Sequence, residues 1–346
     1  LLELDGEEIV TCLPDIGYLH TGIEKTIEAK TYEKGVTCTD RMDYLSPMSN
    51  NKVFCLAIEK MGELDVPERA QIIRVIGLEL TRINSHLVWL GTHAMDLGAM
   101  SVFLYCMRER EMILEMFEML SGQRMMTSYI RPGGVWRDIT PDFLPALEQF
   151  INLFPSRLDD YESLLTDNPL WRDRTEGIGV VEPEDALALG LSGPSLRGSG
   201  VNWDIRKAMP YSGYETYDFN VPIGLHGDVY DRFYIRILEM RESLKILRQA
   251  MARLTPTGEF RSNNRKFAPP PRAELGRSME AVIHHFKLWT EGFPLPDEEV
   301  YVAIESPRGE IGCYLHGTGG NKPRRVHFKT PSFMHISALG SMSEGY

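Results

Sequence analysis

The segment from Pro67 to Leu90 constrains this chain more than any other stretch. Proline and glutamate at positions 67 and 68 suit a helix start: proline has no amide to leave unpaired in the first turn, and a carboxylate complements the positive end of the helix dipole. Behind them Ile72, Val75, Ile76, Leu80, Ile83, Leu87 and Leu90 recur at helical spacing near one stripe. Ile73, Leu78 and Val88 lie off that stripe. A helix that is apolar on most sides is buried on most sides, so this segment should be the central helix of the fold.

The rest of the chain reads as its surroundings. Residues 1–12 alternate apolar and polar side chains and predict a short strand ending near Pro14. A helical pattern runs from Gly22 to Lys34, and long helices are expected over Leu97–Leu120 and Asp228–Leu254, with shorter ones over Glu184–Leu189 and Ser278–Glu291. Residues 141–165 suggest helical turns broken by Pro145 and Pro155, and the charged block Arg108-Glu109-Arg110-Glu111 reads as a solvated or interface turn. Residues 190–227 form a glycine- and tyrosine-rich irregular stretch, and 256–271 a proline-rich connector. Residues 299–316 with 325–330 predict a β-hairpin or small sheet. The fold class is therefore mainly α: a helical-bundle core with small peripheral strands near both ends, in one large domain over 1–346 with a short β region at about 299–330. The chain opens at Leu1 without methionine and stops at Tyr346, and reads as part of a longer polypeptide.

Several function classes fall away. The formal charge is −12, and phosphate backbones need a basic face, so no nucleic-acid partner is expected. No stretch reaches the roughly 18 apolar residues that span a bilayer. Cys12, Cys38, Cys55, Cys106 and Cys313 are scattered and include no Cys-x-x-Cys pair, which argues for reduced, packed thiols and against disulfides, structural zinc or an iron–sulfur site of the chain's own. No P-loop, dinucleotide fingerprint, His-Glu-x-x-His or nucleophile elbow is present. Adjacent His284 and His285 point about 100° apart on a helix and cannot share one metal. His86 and His93 read as hydrogen-bonded core histidines. No metal site is expected.

A dense polar set remains in a region that should otherwise be core: His20, Glu24, Arg41, Asp43, Tyr44, Ser46 and Asn50, with Asp96 between two helices. Ionisable groups are rarely buried without partners. Chemistry alone admits two readings, a functional site or a set of caps and ion pairs at a helix–loop–helix junction.

The run Leu19-His20-Thr21-Gly22-Ile23-Glu24-Lys25-Thr26 resembles a signature of the forty-nine-kilodalton family (the D subunit) of NADH:quinone oxidoreductase, respiratory complex I. The resemblance continues through Arg41-Met42-Asp43-Tyr44, Glu79-Leu80-Thr81-Arg82, Met95-Asp96-Leu97-Gly98, Tyr129-Ile130-Arg131-Pro132-Gly133-Gly134, Ser278-Met279-Glu280-Ala281 and Glu305-Ser306-Pro307-Arg308-Gly309-Glu310, in order along nearly the whole chain. It implies a fold shared with the large subunit of nickel–iron hydrogenases. In that enzyme class Arg-x-Cys-x-x-Cys supplies thiolates to the metals. Here Asp43 and Ser46 stand in those places, and soft metals need soft ligands, so the nickel chemistry should be absent.

What the resemblance implies instead is a quinone headgroup pocket beside the terminal four-iron four-sulfur cluster of a small partner, the B subunit. The C subunit and the membrane-embedded H subunit are the further partners it implies, with FMN and NADH elsewhere in the complex. Tyr44 would hydrogen-bond a quinone carbonyl, with Ser46 and Met48 also quinone-binding. Asp96 would orient a site histidine from a His-Pro-x-x-His-Gly segment expected to lie before Leu1. Arg41 and Arg131 would lie near the partner's cluster. The expected location is the cytoplasmic side of a bacterial inner membrane, or the matrix side of a mitochondrial one. The alternatives are a component of a related membrane-bound hydrogenase, a ferredoxin- or deazaflavin-dependent dehydrogenase complex, or a non-catalytic scaffold.

The chain departs from the family pattern in two places. Thr318 and Arg324 replace the usual Asp and Tyr and have no functional reading. Met125-Met126-Thr127 occupy a run where the family often carries a histidine near the cluster. Methionine does not titrate. In the assembled complex, a pH-stepped redox titration should therefore show weak pH dependence for cluster reduction; a slope near one proton per electron would contradict that.

Overall fold

A computed structural model describes all 346 residues. The chain opens with an antiparallel pair, β1 (Leu2–Asp5) and β2 (Glu8–Cys12). Helices α1 (Ile23–Glu28), α2 (Tyr32–Thr39), α3 (Pro47–Met61), α4 (Glu68–Asp96) and α5 (Met100–Ser121) follow. A short pair, β3 (Ile130–Arg131) and β4 (Gly134–Val135), leads to α6 (Phe143–Leu165). Four short helices come next: α7 (Pro169–Asp173), α8 (Pro183–Ala188), α9 (Gly193–Gly198) and α10 (Ile205–Ala208). They precede the long α11 (Val229–Arg253) and α12 (Met279–Thr290). The chain ends with a three-stranded antiparallel sheet, β5 (Glu299–Ser306), β6 (Gly309–His316) and β7 (Arg325–Lys329), and the short helices α13 (Pro331–Ser337) and α14 (Leu339–Ser343). The fold is mainly α with small antiparallel sheets.

Helix α4 is the centre. Of its 29 residues 21 are buried, and it packs against α3, α5 and α11. The apolar stripe is buried as the pattern requires, from Ile72 to Leu90, while Val88 stays half-buried. Sixty-five buried apolar residues form one continuous core. A second cluster of five, Val181, Ala186, Leu191, Leu196 and Ala338, joins α8, α9 and the end of α13.

Several expected elements differ in detail, each for a local reason. The opening strand is a hairpin, turned at Gly6 with φ 68°. The helix expected over Gly22–Lys34 is two helices, broken between Ala29 and Thr31. The helix after α4 begins at Met100 rather than Leu97, because Gly98 takes φ 97°, a left-handed conformation that ends one helix before the next starts. Helix α6 runs unbroken through both prolines. Pro145 lies in its first turn, where no intrahelical donor is lost. Pro155 leaves the Ile151 carbonyl without its usual donor, and Arg248 of α11 donates to it at 3.3 Å. Glu109 is not part of a solvated block: it is buried and accepts from the Tyr161 hydroxyl at 2.6 Å.

The β5–β6 hairpin matters most for positioning the site. Ser306 pairs with Gly309, leaving Pro307 and Arg308 as its tip. The tip presses into the start of α9, where a Cβ on Gly193 would overlap the Gly309 backbone. Both glycines have positive φ, 62° and 136°, so neither position tolerates a side chain without moving backbone. Gly193→Ala should lower stability by about 2 kcal/mol or more, read as an earlier urea midpoint. An unchanged midpoint would show that the close approach is not required.

Candidate functional site

Two loops make the site. The first, residues 40–46 between α2 and α3, is held from beneath: Asn84 of α4 donates to the Leu45 carbonyl at 3.0 Å, and Asn50 of α3 donates to the Asp43 carbonyl at 2.9 Å. The second is the β5–β6 tip. Arg308 Nη1 donates to Asp43 Oδ2 and ties the two together, while Asp43 Oδ1 accepts the Leu45 amide at 3.2 Å. Beside this pair lies a cavity of about 460 Å³ lined by His20, Glu24, Met42, Asp43, Asn50, Ser306, Phe328 and Phe333 among others. Its wall is half polar, with Leu19, Ile23, Met42, Ile311, Phe328 and Phe333 as its apolar part.

The expected site residues separate into groups. His20, Glu24, Asp43 and Asn50 share the cavity, and Glu24 also accepts the Phe328 amide at 2.7 Å and pairs with His327 at 3.0 Å. The cluster therefore contains ion pairs as well as part of the cavity wall. Tyr44 projects outward, 56% exposed. Ser46 is buried with its hydroxyl unpartnered. Met48 is fully buried with its sulfur over Gly77, in the seam between α3 and α4. Asp96 is exposed at the C-terminal end of α4, twelve residues past Asn84, or about 18 Å along the helix axis.

Arg41 and Arg131 come together at a second cavity, of about 360 Å³, with Thr37, Gln123, Met126 and Trp136. Arg41 donates to the Thr37 carbonyl. Arg131 pairs with Glu33 at 2.9 Å and stands 5.5 Å over the Trp136 ring. No three or more His, Cys, Asp or Glu side chains converge as a metal site.

Behind the hairpin tip lies a buried network that the sequence motifs cover only in part. Arg82 of α4 donates to the carbonyls of Glu305 and Ser306 at 2.9 and 3.3 Å, and its Nε lies 3.4 Å from Glu79. Glu79 accepts from the Tyr214 hydroxyl and the Ser243 hydroxyl at 2.6 Å each and from Arg206 at 3.2 Å. Arg206 pairs with Asp204 at 2.6 Å. Arg197 bridges Glu239 at 2.5 Å and Glu305 at 2.9 Å, and Glu239 meets His86 Nε2 at 2.8 Å. All these side chains are buried. Burial pushes Glu239 up, but Arg197 and the bond to His86 outweigh it and hold the carboxyl well below its usual range. Burial likewise works against Asp204, yet Arg206 keeps it at about 2. Burial raises Glu305, with Arg197 offsetting only part of the effect. The sequence signal for this network is a set of ionisable residues, Glu79, Arg82 and His86, spaced along a largely apolar helix.

The two core histidines differ. His86 is hydrogen-bonded, and burial lowers it to about 4. His93 corrects the expectation: its Nε2 has no partner, and it is held by stacking at 5.0 Å on Trp89 and an edge contact at 5.3 Å to Trp171.

Sequence comparison shows the family. A family profile described as "Respiratory-chain NADH dehydrogenase, 49 Kd subunit" matches residues 96–346. The chain belongs to that family. Among its relatives, the second D subunit of NADH-quinone oxidoreductase from Chloroflexus aurantiacus is 59% identical over 347 residues, covering 100% of this chain and 84% of the relative. The first D subunit of the Herpetosiphon aurantiacus NADH-quinone oxidoreductase is 62% identical over 346 residues, covering 99% and 82%. The D subunit of the Citrifermentans bemidjiense enzyme is 50% identical over 345 residues, covering 100% and 88%. As a member of the 49-kDa family, the chain is one component of a multi-subunit oxidoreductase. No helix is long and apolar enough to cross a membrane.

The depressed His86 sets a pH dependence. Between about pH 6.5 and 4 the unfolded chain binds a proton at this imidazole and the folded chain does not, so stability falls as pH falls through that window, by roughly 3 kcal/mol for a shift of this size. Thermal melts over that range should show the decline, with a shallower slope in His86→Gln. Equal slopes in the two proteins would contradict it.

Proposed function

We propose that this chain forms the quinone-reduction site of its complex. The observation that carries the reading is the joining of the 40–46 loop to the 306–309 tip by Asp43 and Arg308, on a part-apolar cavity lined by Asp43, with the exposed Tyr44 next to it in the loop. The phenol can donate a hydrogen bond to a quinone carbonyl and then a proton. Ser46, whose hydroxyl has no partner inside the chain, and Met48 are the other quinone-binding residues of this reading. Asp96 orients a histidine of the family's His-Pro-x-x-His-Gly segment, which residues 1–346 do not contain, and stabilises its charge.

Arg41 and Arg131 lie on the face toward the cluster-bearing B subunit, where their positive charge favours electron addition. Electrons arrive from that partner's four-iron four-sulfur cluster, fed by FMN and NADH elsewhere in the complex. This chain's share is binding, orientation and proton supply. The C and H subunits are the other neighbours, and movement of the loops around the cavity couples quinone chemistry to proton translocation. The protein sits on the cytoplasmic side of a bacterial inner membrane, held there by partners. Either ubiquinone or menaquinone satisfies the same headgroup chemistry.

In the place of the two thiolates of a nickel–iron centre stand Asp43, engaged with Arg308, and Ser46. That favours the quinone reading over a hydrogenase, and stoichiometric nickel in the purified complex would overturn it. The direct test is Tyr44→Phe and, separately, Tyr44→Trp in the assembled complex. Both should lower quinone reductase activity by about tenfold or more, the usual scale for a proton donor, with cluster reduction by NADH unaffected. Wild-type rates in both variants would sink the assignment.

A further inference from the structure

A further cavity, of about 300 Å³, is lined by Arg308 and shares Ser332 with the first. Its wall includes Arg236 of α11, Arg308, Trp89 and the imidazoles of His86 and His335, with the hydroxyls of Ser85, Ser195 and Ser332. Arg236 has no carboxylate partner. Its guanidinium stands 4.4 Å over the Trp89 ring, and its one hydrogen bond within the chain is to the Arg232 carbonyl at 2.5 Å. The acid that acts on it, Glu239, is already engaged: one oxygen accepts from Arg197 and the other meets His86.

A half-buried guanidinium without a counter-charge is costly, and the surroundings aggravate the cost. Burial pushes Arg236 down to about 10, and the positive charges of Arg232, Arg308 and Arg197 push the same way. Burial also holds His335 at about 4, with Arg236 contributing, so that imidazole is neutral at physiological pH. Of the other arginines that act on it, Arg308 has Asp43 and Arg197 has Glu239 and Glu305, while Arg232 donates only to the carbonyls of Gly227 and Gly179 and does not line the cavity. Arg236 is thus the one arginine of the wall that faces the cavity without a carboxylate partner.

We propose that this cavity is a carboxylate-binding site in which Arg236 receives the anion through its guanidinium fork, with the serine hydroxyls completing its hydrogen bonds. The planar fork matches a carboxylate in two parallel bonds, which is the recognition mode arginine serves best. Trp89 lies against the guanidinium, its ring centroid 4.4 Å from Cζ. Because Arg308 lines this cavity as well as pairing with Asp43, an anion here also competes with Asp43 for that side chain. The carboxylate can belong to a small soluble anion or to a polypeptide side chain seated in the complex.

The test is thermal melting of the chain in increasing sodium acetate at constant ionic strength, balanced with chloride. Acetate should raise the melting temperature to a plateau. In Arg236→Gln the half-saturating concentration should rise about tenfold or more, the scale of a lost charge-assisted bond, and Arg236→Lys should fall between. Arg124→Gln, at an exposed ion pair with Glu111, serves as control and should match wild type. No plateau in the wild-type chain overturns the proposal whatever the variants do, as does a response to inorganic phosphate but not acetate. Repeating the titration on the assembled complex identifies the source: a retained plateau means a free small carboxylate, and a lost one means a polypeptide carboxylate already in place.

Discussion

Everything at the candidate site hangs from the guanidinium of Arg82. It lies in the middle of α4, the helix with core on nearly every side, and its two outer nitrogens hold the last two carbonyls of β5. Those carbonyls belong to Glu305 and Ser306, next to the tip that carries Arg308. A charge in that position needs an anion close by, and Glu79 supplies it three residues earlier on the same helix face. Glu79 in turn recruits Arg206, Tyr214 and Ser243. The result is a buried network joining α4, α9, α10, α11 and β5, elements far apart in sequence.

Such networks rarely win stability over well-packed apolar residues, because desolvation consumes most of the Coulombic gain. What this one supplies is placement. Apolar packing of α4 against α3, α5 and α11 is nondirectional, whereas fork contacts to two named carbonyls fix where the hairpin tip ends. Arg308 then meets Asp43, and the 40–46 loop, which Asn84 and Asn50 hold from below, acquires a second attachment. The site is therefore built at a junction between the buried core and two short loops, the kind of place where binding residues are carried on loops positioned by a scaffold.

Much of this was legible in the residue order. The apolar stripe of α4 announced its burial, and the scarcity of strands announced a mainly helical fold. Tyr44, Asp43 and Arg41 stood out as polar groups in a stretch that otherwise reads as core. What stayed hidden depends on long-range partners. Pro155 reads as a helix breaker because nothing local shows that Arg248 of α11 meets the freed Ile151 carbonyl. Glu109 reads as solvated until Tyr161 is seen above it. The isolation of Arg236 likewise depends on which acids are occupied elsewhere. His93 looks like a hydrogen-bonded histidine, and only the neighbouring indoles show that stacking holds it.

If Arg82 positions the site loops, Arg82→Lys should release them. Lysine keeps a positive charge near Glu79 but has no planar fork to hold two carbonyls. Hydrogen exchange of the variant, measured peptide by peptide, should speed up in segments 304–310 and 40–46 while the remainder of α4 and α5 stays protected. Unchanged exchange in those two segments, with the fold intact, would contradict that role for Arg82.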